Sequence, residues 1–408
     1  MGAAGYDAGW VLRDDAAVMT RVAIGGFVLG GLALTLGSAA AATTEPPPPA
    51  TFEIPAERFD ALDAAGLAWM FDGVEYPSQP DGVPWPTEEW PVGDLPAGVD
   101  ADALQDAFDA AFVPQEGTGG VEAIVVVQGG QLVVEQYNNW EPDAPHVSWS
   151  MAKSITQAML GILVAEGRLD VFAPASVPEW ADSADPRHPI TIDTMLHMRS
   201  CLEWNEEYAG ESDVITMLFG DGKADRGHFA ADRPLVCDPG STWSYSTGTS
   251  MILARIIADE VGYGDEGVAW AQDALFGPLG ITSVSHDLDE SGVMSGGSHI
   301  DMTPLDFARF GLLYLRGGEW DGTQIVPEEW VDYARLPYPD APSYGAHWWV
   351  TGTEDGNPAA FAANGFGGQS IVIVPELDLV VVVLGNVQDA SADEASAAVV
   401  EAFSNVAS

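Results

Sequence analysis

The sequence has very little positive charge. Only two lysines, Lys153 and Lys223, occur among its 408 residues, and 14 Lys and Arg together stand against 62 Asp and Glu. The formal net charge is -48 and the isoelectric point is near 4.1. Because phosphate contacts require Lys and Arg, this composition argues strongly against nucleic acid as a partner, and it disfavours anionic membranes and substrates. The acidic residues are spread along the chain, which predicts a solvated acidic surface adapted to high salt.

Cysteine is equally scarce. The two cysteines, Cys201 and Cys237, allow one disulfide if the protein is exported and two buried thiols if it is not. The seven histidines are scattered, and no cluster of His, Cys and carboxylate residues has the spacing of metal ligands. The sequence therefore predicts neither a metal nor another cofactor.

Composition divides the chain into three parts. Arg21 precedes an apolar run over 22–36 and small residues over 37–42, so residues 1–42 are predicted to be a signal peptide, with a retained membrane anchor as the alternative. Residues 43–98 begin with a proline tract and are predicted to form a tether and an irregular arm. Residues 99–408 are long enough for one large domain with a substantial core. A cleaved signal peptide implies a secreted or extracytoplasmic protein.

Periodicity predicts the main elements of this domain. Leu104, Phe108 and Phe112 recur at helical spacing. Helices are predicted over 99–113, from near Ser150 to Gly167, over 251–261, from Thr303 onward and over about 392–404. β-Branched runs predict one hairpin over 124–134, turning at Gly129-Gly130, and another over 370–384. Hairpins near both ends predict one sheet built from both chain ends, with a mostly helical region inserted over about 168–290.

Ser150 and Lys153 are the first residues to indicate chemistry. A serine at neutral pH is a poor nucleophile and needs a base to take its proton. If Ser150 opens a helix, Lys153 lies one turn later on the same face, with its amine within reach of the hydroxyl. The flanking Trp149, Met151 and Ala152 would desolvate that amine and lower its pKa. One Ser-x-x-Lys match can arise by chance, so independent features have to agree with it.

Two later segments supply candidate partners. Tyr245, within 239–247, is a candidate proton relay, although a tyrosine at the edge of a core is the commoner interpretation. The glycine-rich run 364–369 precedes a strand and permits close backbone approach, so the backbone N–H groups of Ser150 and Phe366 are candidates for an oxyanion hole. A simple glycine turn is the alternative for this run.

In this order and spacing, the three segments resemble the motifs of the serine β-lactamase and penicillin-binding-protein superfamily, which run Ser-x-x-Lys, Tyr-x-Asn/Ser and Lys/His-Thr-Gly. The resemblance covers about 120–405 and includes the segments 190–200, 239–245, 303–315 and 365–369. It is closest to the class C-like branch, which includes family VIII-type esterases, D-aminopeptidases and 6-aminohexanoate-oligomer hydrolases. It implies an α/β (α+β) fold, with an antiparallel sheet flanked by helices beside an all-helical lobe and the active site in the cleft between them.

The resemblance also implies an acyl-enzyme on Ser150, with Lys153 as base and Tyr245 as proton shuttle. The sequence departs from the family pattern twice: the third motif has no Lys or His, and Thr247 replaces the usual Asn. Because the missing cation normally holds the carboxylate of a β-lactam, both departures disfavour a β-lactamase or transpeptidase. They leave an esterase or amidase that acts on neutral or cationic substrates.

The resulting prediction is an exported serine hydrolase of small esters or linear amides, 6-aminohexanoate-oligomer-like amides among them. A D-Ala-D-Ala carboxypeptidase or β-lactamase is the alternative, and a catalytically silent ligand-sensing domain is a further one. A small-molecule substrate is the expected partner, and a membrane is one only if the N-terminal segment is retained. If Cys201 and Cys237 pair, they would hold the tyrosine loop in place. Candidate substrate contacts are Glu206, Tyr208, Trp348, Trp349, Gly365 and Gly367, and both tryptophans are about as compatible with a core position.

Overall fold

The computed structural model describes residues 52–68, 74–114, 119–351, 358–387 and 389–407. The predicted signal peptide or anchor, residues 1–42, and residues 43–51 of the predicted tether lie outside the described residues. Among the helices of the described part, none is both long enough and apolar enough to cross a membrane.

A six-stranded antiparallel sheet forms the centre of the domain, with strand order β2-β1-β10-β9-β8-β7. The strands are β1 (Val121–Gln128), β2 (Gln131–Tyr137), β3 (Ser285–His286), β4 (Ile300–Asp301), β5 (Glu319–Trp320), β6 (Thr323–Gln324), β7 (Trp349–Thr351), β8 (Ala360–Gly365), β9 (Gln369–Val374) and β10 (Leu379–Gly385). The pairs β3–β4 and β5–β6 form separate two-stranded ribbons. In the large sheet β1 pairs with β10, placing Val121 opposite Gly385. The prediction of one sheet built from both ends of the domain is therefore confirmed.

Eleven helices accompany the strands in the described part of the chain. They are α1 (Ala56–Ala64), α2 (Ala101–Ala111), α3 (Ala152–Ala165), α4 (Ile192–Leu196), α5 (Asp213–Phe219), α6 (Arg226–Ala231), α7 (Thr247–Val261), α8 (Asp265–Ala271), α9 (Pro304–Leu315), α10 (Glu328–Ala334) and α11 (Ser391–Ala407). Five of them, α4 to α8, fall within 168–290, and this region contributes no strand to the large sheet.

The two faces of the sheet carry separate cores because side chains alternate along each strand. On β1, Val125 and Val127 point into the larger core, which includes residues of α3 and α9. Ile124 and Val126 point into a smaller core formed with α2 and α11. The sheet is thus sandwiched between helices. The candidate base Lys153 lies in the first turn of α3.

The N-terminal arm differs from the prediction of an irregular segment, because it contains α1. Leu62 is the one buried residue of this helix, so its sequence lacks the apolar periodicity that reveals amphipathic helices. Residues 74–98 are irregular apart from one bridge between Val92 and Leu132. Two contacts hold the arm against the domain. Arg58 Nη1 lies 3.0 Å from Asp193 Oδ1, and the Phe52 ring packs edge-on against Trp330.

Candidate active site

Ser150 lies in a 3₁₀ turn, Trp149–Met151, directly before α3. The expected helix thus begins two residues later than Ser150, at Ala152. Trp149 has a φ of +42°, in the left-handed region that costs a bulky residue about 1–3 kcal/mol. The turn is held by Ser148, whose N–H donates to Asp301 Oδ1 at 2.9 Å and whose hydroxyl donates to the Ser298 carbonyl at 3.1 Å. Ser150 in this turn is half-buried.

Lys153 is buried and donates to three oxygen atoms. Its Nζ lies 3.1 Å from Ser150 Oγ, 2.9 Å from Thr247 Oγ1 and 2.7 Å from the Gly297 carbonyl. Burial lowers the pKa of Lys153 from 10.5 to about 8, against the opposing effect of the Glu206 carboxylate. An amine with this pKa is partly neutral near neutral pH, as a general base must be.

Tyr245 completes the group around the candidate nucleophile. Its phenol lies beside the Ser150 hydroxyl, and burial raises the pKa of the phenol well above 10. Its ring stacks on Trp349 at a centroid distance of 5.7 Å and meets Tyr344 edge-on at 5.8 Å. The Lys153 Nζ lies 5.0 Å from the centre of the same ring. The structure therefore brings together the three residues predicted as catalytic.

The tyrosine loop is fixed by covalent and backbone bonds. Cys201 and Cys237 form a disulfide that joins the segment after α4 to the segment leading to Tyr245. Further along, the Ser244 N–H donates to the Met198 carbonyl at 2.7 Å. Of the two possibilities predicted for these cysteines, one disulfide or two buried thiols, the structure has the disulfide.

The glycine-rich run forms the turn between β8 and β9, and it approaches the Ser150 turn very closely. A Cβ at Gly365 would lie 2.5 Å from the Ser148 carbonyl oxygen, so only glycine fits without a shift. Gly367 takes a φ of +78° within the turn. The Phe366 ring contacts Trp149 at 5.9 Å and Tyr208 at 5.2 Å between centroids. This arrangement sets the Phe366 backbone beside the Ser150 turn, as a two-donor oxyanion hole requires.

Glu206 and Tyr208 both lie beside Ser150. The Tyr208 hydroxyl donates to Glu206 Oε1 at 3.0 Å and lies beside Ser150. Burial, together with the Glu206 charge, raises the pKa of Tyr208. Glu206 in turn accepts a hydrogen bond from the Thr247 backbone N–H at 2.8 Å. Tyr208 remains largely exposed, so it is placed to meet a bound molecule.

Of the two tryptophans predicted as substrate contacts, only Trp349 lies at the site. The prediction for Trp348 is wrong, because its side chain is 0% exposed and packs among Phe310, Tyr314 and Phe361. Trp349 is half-buried against the Tyr245 ring.

His347 is a buried group near the site that sequence reasoning missed. Its Nδ1 donates to the Leu196 carbonyl at 2.8 Å, so its Nε2 accepts from the Ser250 hydroxyl at 2.8 Å. The Ser154 hydroxyl donates to the His347 carbonyl at 2.8 Å. Burial lowers the pKa of His347 to about 3, so the imidazole is neutral and ties α3, α4 and α7 together. No motif or spacing in the sequence marks it.

In the described part of the chain, no His, Cys, Asp and Glu residues are grouped to hold a metal ion.

Comparison with known proteins accords with this geometry. The family model described as Beta-lactamase matches residues 104–404. The chain belongs to the beta-lactamase family. A curated relative, the 6-aminohexanoate-dimer hydrolase of Paenarthrobacter ureafaciens, is 27% identical over 297 residues, which cover 66% of this chain and 73% of the relative. The resemblance read from the motifs is thereby confirmed.

Solved structures share the beta-lactamase family fold. The structure named "Putative 6-aminohexanoate-dimer hydrolase from Bacillus anthracis" superimposes with a TM-score of 0.63 at 22% identity, covering 87% of this chain and 94% of that one. The octameric penicillin-binding protein homologue from Pyrococcus abyssi gives a TM-score of 0.58 at 18% identity, covering 75% and 77%. The predicted antiparallel sheet flanked by helices is therefore confirmed.

Proposed function

We propose that this protein is a serine hydrolase that cleaves small ester or linear amide bonds through an acyl-enzyme on Ser150. The observation that carries the proposal is the buried Lys153 amine, 3.1 Å from Ser150 Oγ and with a pKa lowered to about 8. A nucleophile, a base of suitable pKa and a second proton-transfer group within contact form the set that acyl transfer needs.

The proton has a defined route in this mechanism. Neutral Lys153 takes the hydroxyl proton as Ser150 Oγ attacks the carbonyl carbon, and the Ser150 and Phe366 N–H groups face the developing oxyanion. Because the pKa of Tyr245 is raised, its phenol stays protonated and can donate to the leaving alcohol or amine. Lys153 then returns its proton to Tyr245, and water cleaves the acyl-enzyme through the same groups.

The charge of the site supports a neutral or cationic substrate. Apart from Lys153, which is engaged with Ser150, the side chains described above around Ser150 are aromatic or acidic: Trp149, Glu206, Tyr208, Tyr245, Trp349 and Phe366. A β-lactam or a D-Ala-D-Ala peptide carries a carboxylate, which these groups would repel or leave unpaired. The name of the Paenarthrobacter relative makes a 6-aminohexanoate dimer the first linear amide to test. This dimer is a zwitterion whose carboxylate lies at the far end of an alkyl chain, whereas a β-lactam or a D-Ala-D-Ala peptide carries its carboxylate on the carbon next to the reacting amide nitrogen.

Export is part of the proposal. The disulfide between Cys201 and Cys237 supports it, because disulfides persist mainly in oxidising compartments. N-terminal sequencing of the mature protein would locate a cleavage site near residue 42, and a mature chain that keeps its first residues would contradict cleavage.

The proposed activity is tested with a panel of p-nitrophenyl esters, the 6-aminohexanoate dimer and the β-lactam nitrocefin. Wild type should turn over an ester or the dimer much faster than nitrocefin, and the Ser150→Ala and Lys153→Ala variants should not. A fluorophosphonate should add to Ser150 in wild type, as located by mass spectrometry. Preference for nitrocefin would favour the β-lactamase alternative. No turnover and no adduct would favour a silent ligand-sensing domain.

A further inference from the structure

Whether Lys153 can act as a base depends on the direction of the lone pair on its Nζ. A neutral amine has two N–H donors and one lone pair, and a general base must aim that lone pair at the proton it takes. Three oxygens surround Nζ, those of Ser150, Thr247 and Gly297. The Gly297 carbonyl can only accept, so it takes one N–H. Which of the two hydroxyls meets the lone pair then depends on where the Thr247 hydrogen points.

Glu206 fixes that hydrogen. The Thr247 hydroxyl donates to Glu206 Oε1, and the Thr247 backbone N–H donates to Oε2 at 2.8 Å. This two-point contact holds the Thr247 side chain at the first residue of α7. A carboxylate offers only acceptors, so the single Thr247 hydrogen is committed to it. Toward Lys153, Thr247 is left as an acceptor.

Glu206 is itself fully engaged. Its Oε1 also accepts from the Tyr208 hydroxyl, and its Oε2 also accepts from the Trp204 indole N–H. Four donors match the roughly four lone-pair sites of a carboxylate. The carboxylate is therefore held by four donors of the protein, and its contact with substrate stays a prediction.

We propose that Glu206 is a positioning residue that, by holding the Thr247 hydroxyl hydrogen, turns the lone pair of neutral Lys153 toward Ser150. The proposal rests on the proposed function, because the lone pair matters only if Lys153 is the base. Neither the family match nor the named relatives assign a role to this carboxylate. An amide side chain at position 247 would accept from Lys153 through its carbonyl oxygen unaided, whereas the Thr247 hydroxyl needs Glu206 to hold its hydrogen away from Lys153.

The charged and titratable groups around Lys153 leave its own titration readable. From the packed elements, Tyr208, Tyr245, Tyr344 and His347 interact with Lys153 or Glu206. The pKa values of the three tyrosines are raised, and that of His347 is lowered to about 3. The fall of Ser150 reactivity on the acid side of its pH profile, the acid limb, therefore reports the protonation of Lys153.

The test is the rate at which a fluorophosphonate labels Ser150 across neutral and alkaline pH. In Glu206→Gln the amide can donate to Thr247, which frees the Thr247 hydrogen to occupy the Lys153 lone pair. We expect the plateau rate to fall about tenfold, the size of one misdirected hydrogen bond. We also expect the acid limb to move to lower pH, because the charge that favours the Lys153 ammonium is gone. The exposed neighbour Glu207 supplies the matched control, and Glu207→Gln should behave as wild type.

Variants of Thr247 test whether Glu206 acts through the Thr247 hydroxyl. Thr247→Val should lose about tenfold in plateau rate, and Thr247→Ser, which keeps the hydroxyl, should recover most of that loss. Adding Glu206→Gln to Thr247→Val should cost little more, because Glu206 acts through Thr247. Additive losses, or a Glu206→Gln plateau that falls with no shift of the limb, would overturn the proposal. Wild type that is never labelled would instead overturn the proposed function, and this proposal with it.

Discussion

Lys153 shows how surroundings convert a common cation into a base. Its side chain is 1% exposed, and its three neighbours are oxygens that carry no full charge. Desolvation then lowers its pKa, while Glu206 is close enough to oppose the shift through its charge. The result is an amine that changes charge near pH 8.

This pKa predicts the pH dependence of the reaction. Only the neutral amine is a base, so kcat/KM for a p-nitrophenyl ester should rise about tenfold per pH unit below pH 8 and level off above about pH 8. Lys153→Arg should abolish the limb along with most of the activity, since a guanidinium stays protonated. Initial rates across a pH series measure both. An acid limb centred near the pKa of a free histidine, about 6.5, would point to another base.

The sequence predicts these residues unevenly. Ser150, Lys153 and Tyr245 were predictable because helical spacing and ordered motifs are local properties. The choice between Trp348 and Trp349 was not, because adjacent side chains next to a strand face opposite ways and the register depends on distant partners. His347 was hidden for the same reason: its hydrogen-bond partners come from α4 and α7.

At the scale of elements, the site depends on the contact between the β8–β9 turn and the Ser150 turn. Gly365 makes that contact possible, since its missing side chain leaves room for the Ser148 carbonyl. The bounds of β9 and β10 are close to the hairpin predicted over 370–384, because β-branched residues mark both strands. α1 was missed, because one buried residue gives no periodicity.

Gly365→Ala tests this contact. The new Cβ would lie 2.5 Å from the Ser148 carbonyl oxygen, so one backbone must move by several tenths of an ångström. We expect kcat to fall about 10- to 100-fold with a protein that still folds, because small displacements of reacting groups are costly. Steady-state kinetics and thermal melts measure the two effects.

Gly318→Ala is the matched control for that variant. Its Cβ would lie 2.2 Å from the Val326 carbonyl oxygen, beside the β5–β6 ribbon that contributes nothing to the site. It should lower the melting temperature and leave kcat of the folded protein unchanged. Equal losses of kcat in the two variants would mean that general destabilisation explains both.

Across the whole molecule, the few cations are withdrawn from the surface. Lys153 and six of the arginines are buried, half of the 14 cationic residues in the chain. The six arginines, each paired with a carboxylate, are Arg199, Arg226, Arg255, Arg309, Arg316 and Arg335. The exterior is therefore even more acidic than the composition indicates, and its charges repel one another.

Added salt should therefore stabilise the protein. If screening weakens the surface repulsion by about 2 kcal/mol, the melting temperature of a domain of this size would rise by about 3 °C between low salt and 1 M salt, where the Debye length is about 3 Å. NaCl and KCl should act alike, whereas sulfate would also stabilise through exclusion from the surface. Thermal melts across each salt series measure the effect, and a flat response to both chlorides would remove the case for salt adaptation.

The pairing of β1 with β10 has a consequence for how the protein is made. A ribosome delivers β1, β2 and the Ser150 turn early, whereas β10, the second strand that β1 pairs with, appears only after residue 378 has been made. Until β10 has been made, the active site is not assembled and one edge of the apolar strand β1 is unpaired. A polypeptide cut short before residue 379 would be left with an open sheet edge prone to aggregation, and activity should arise only once β10 has paired with β1.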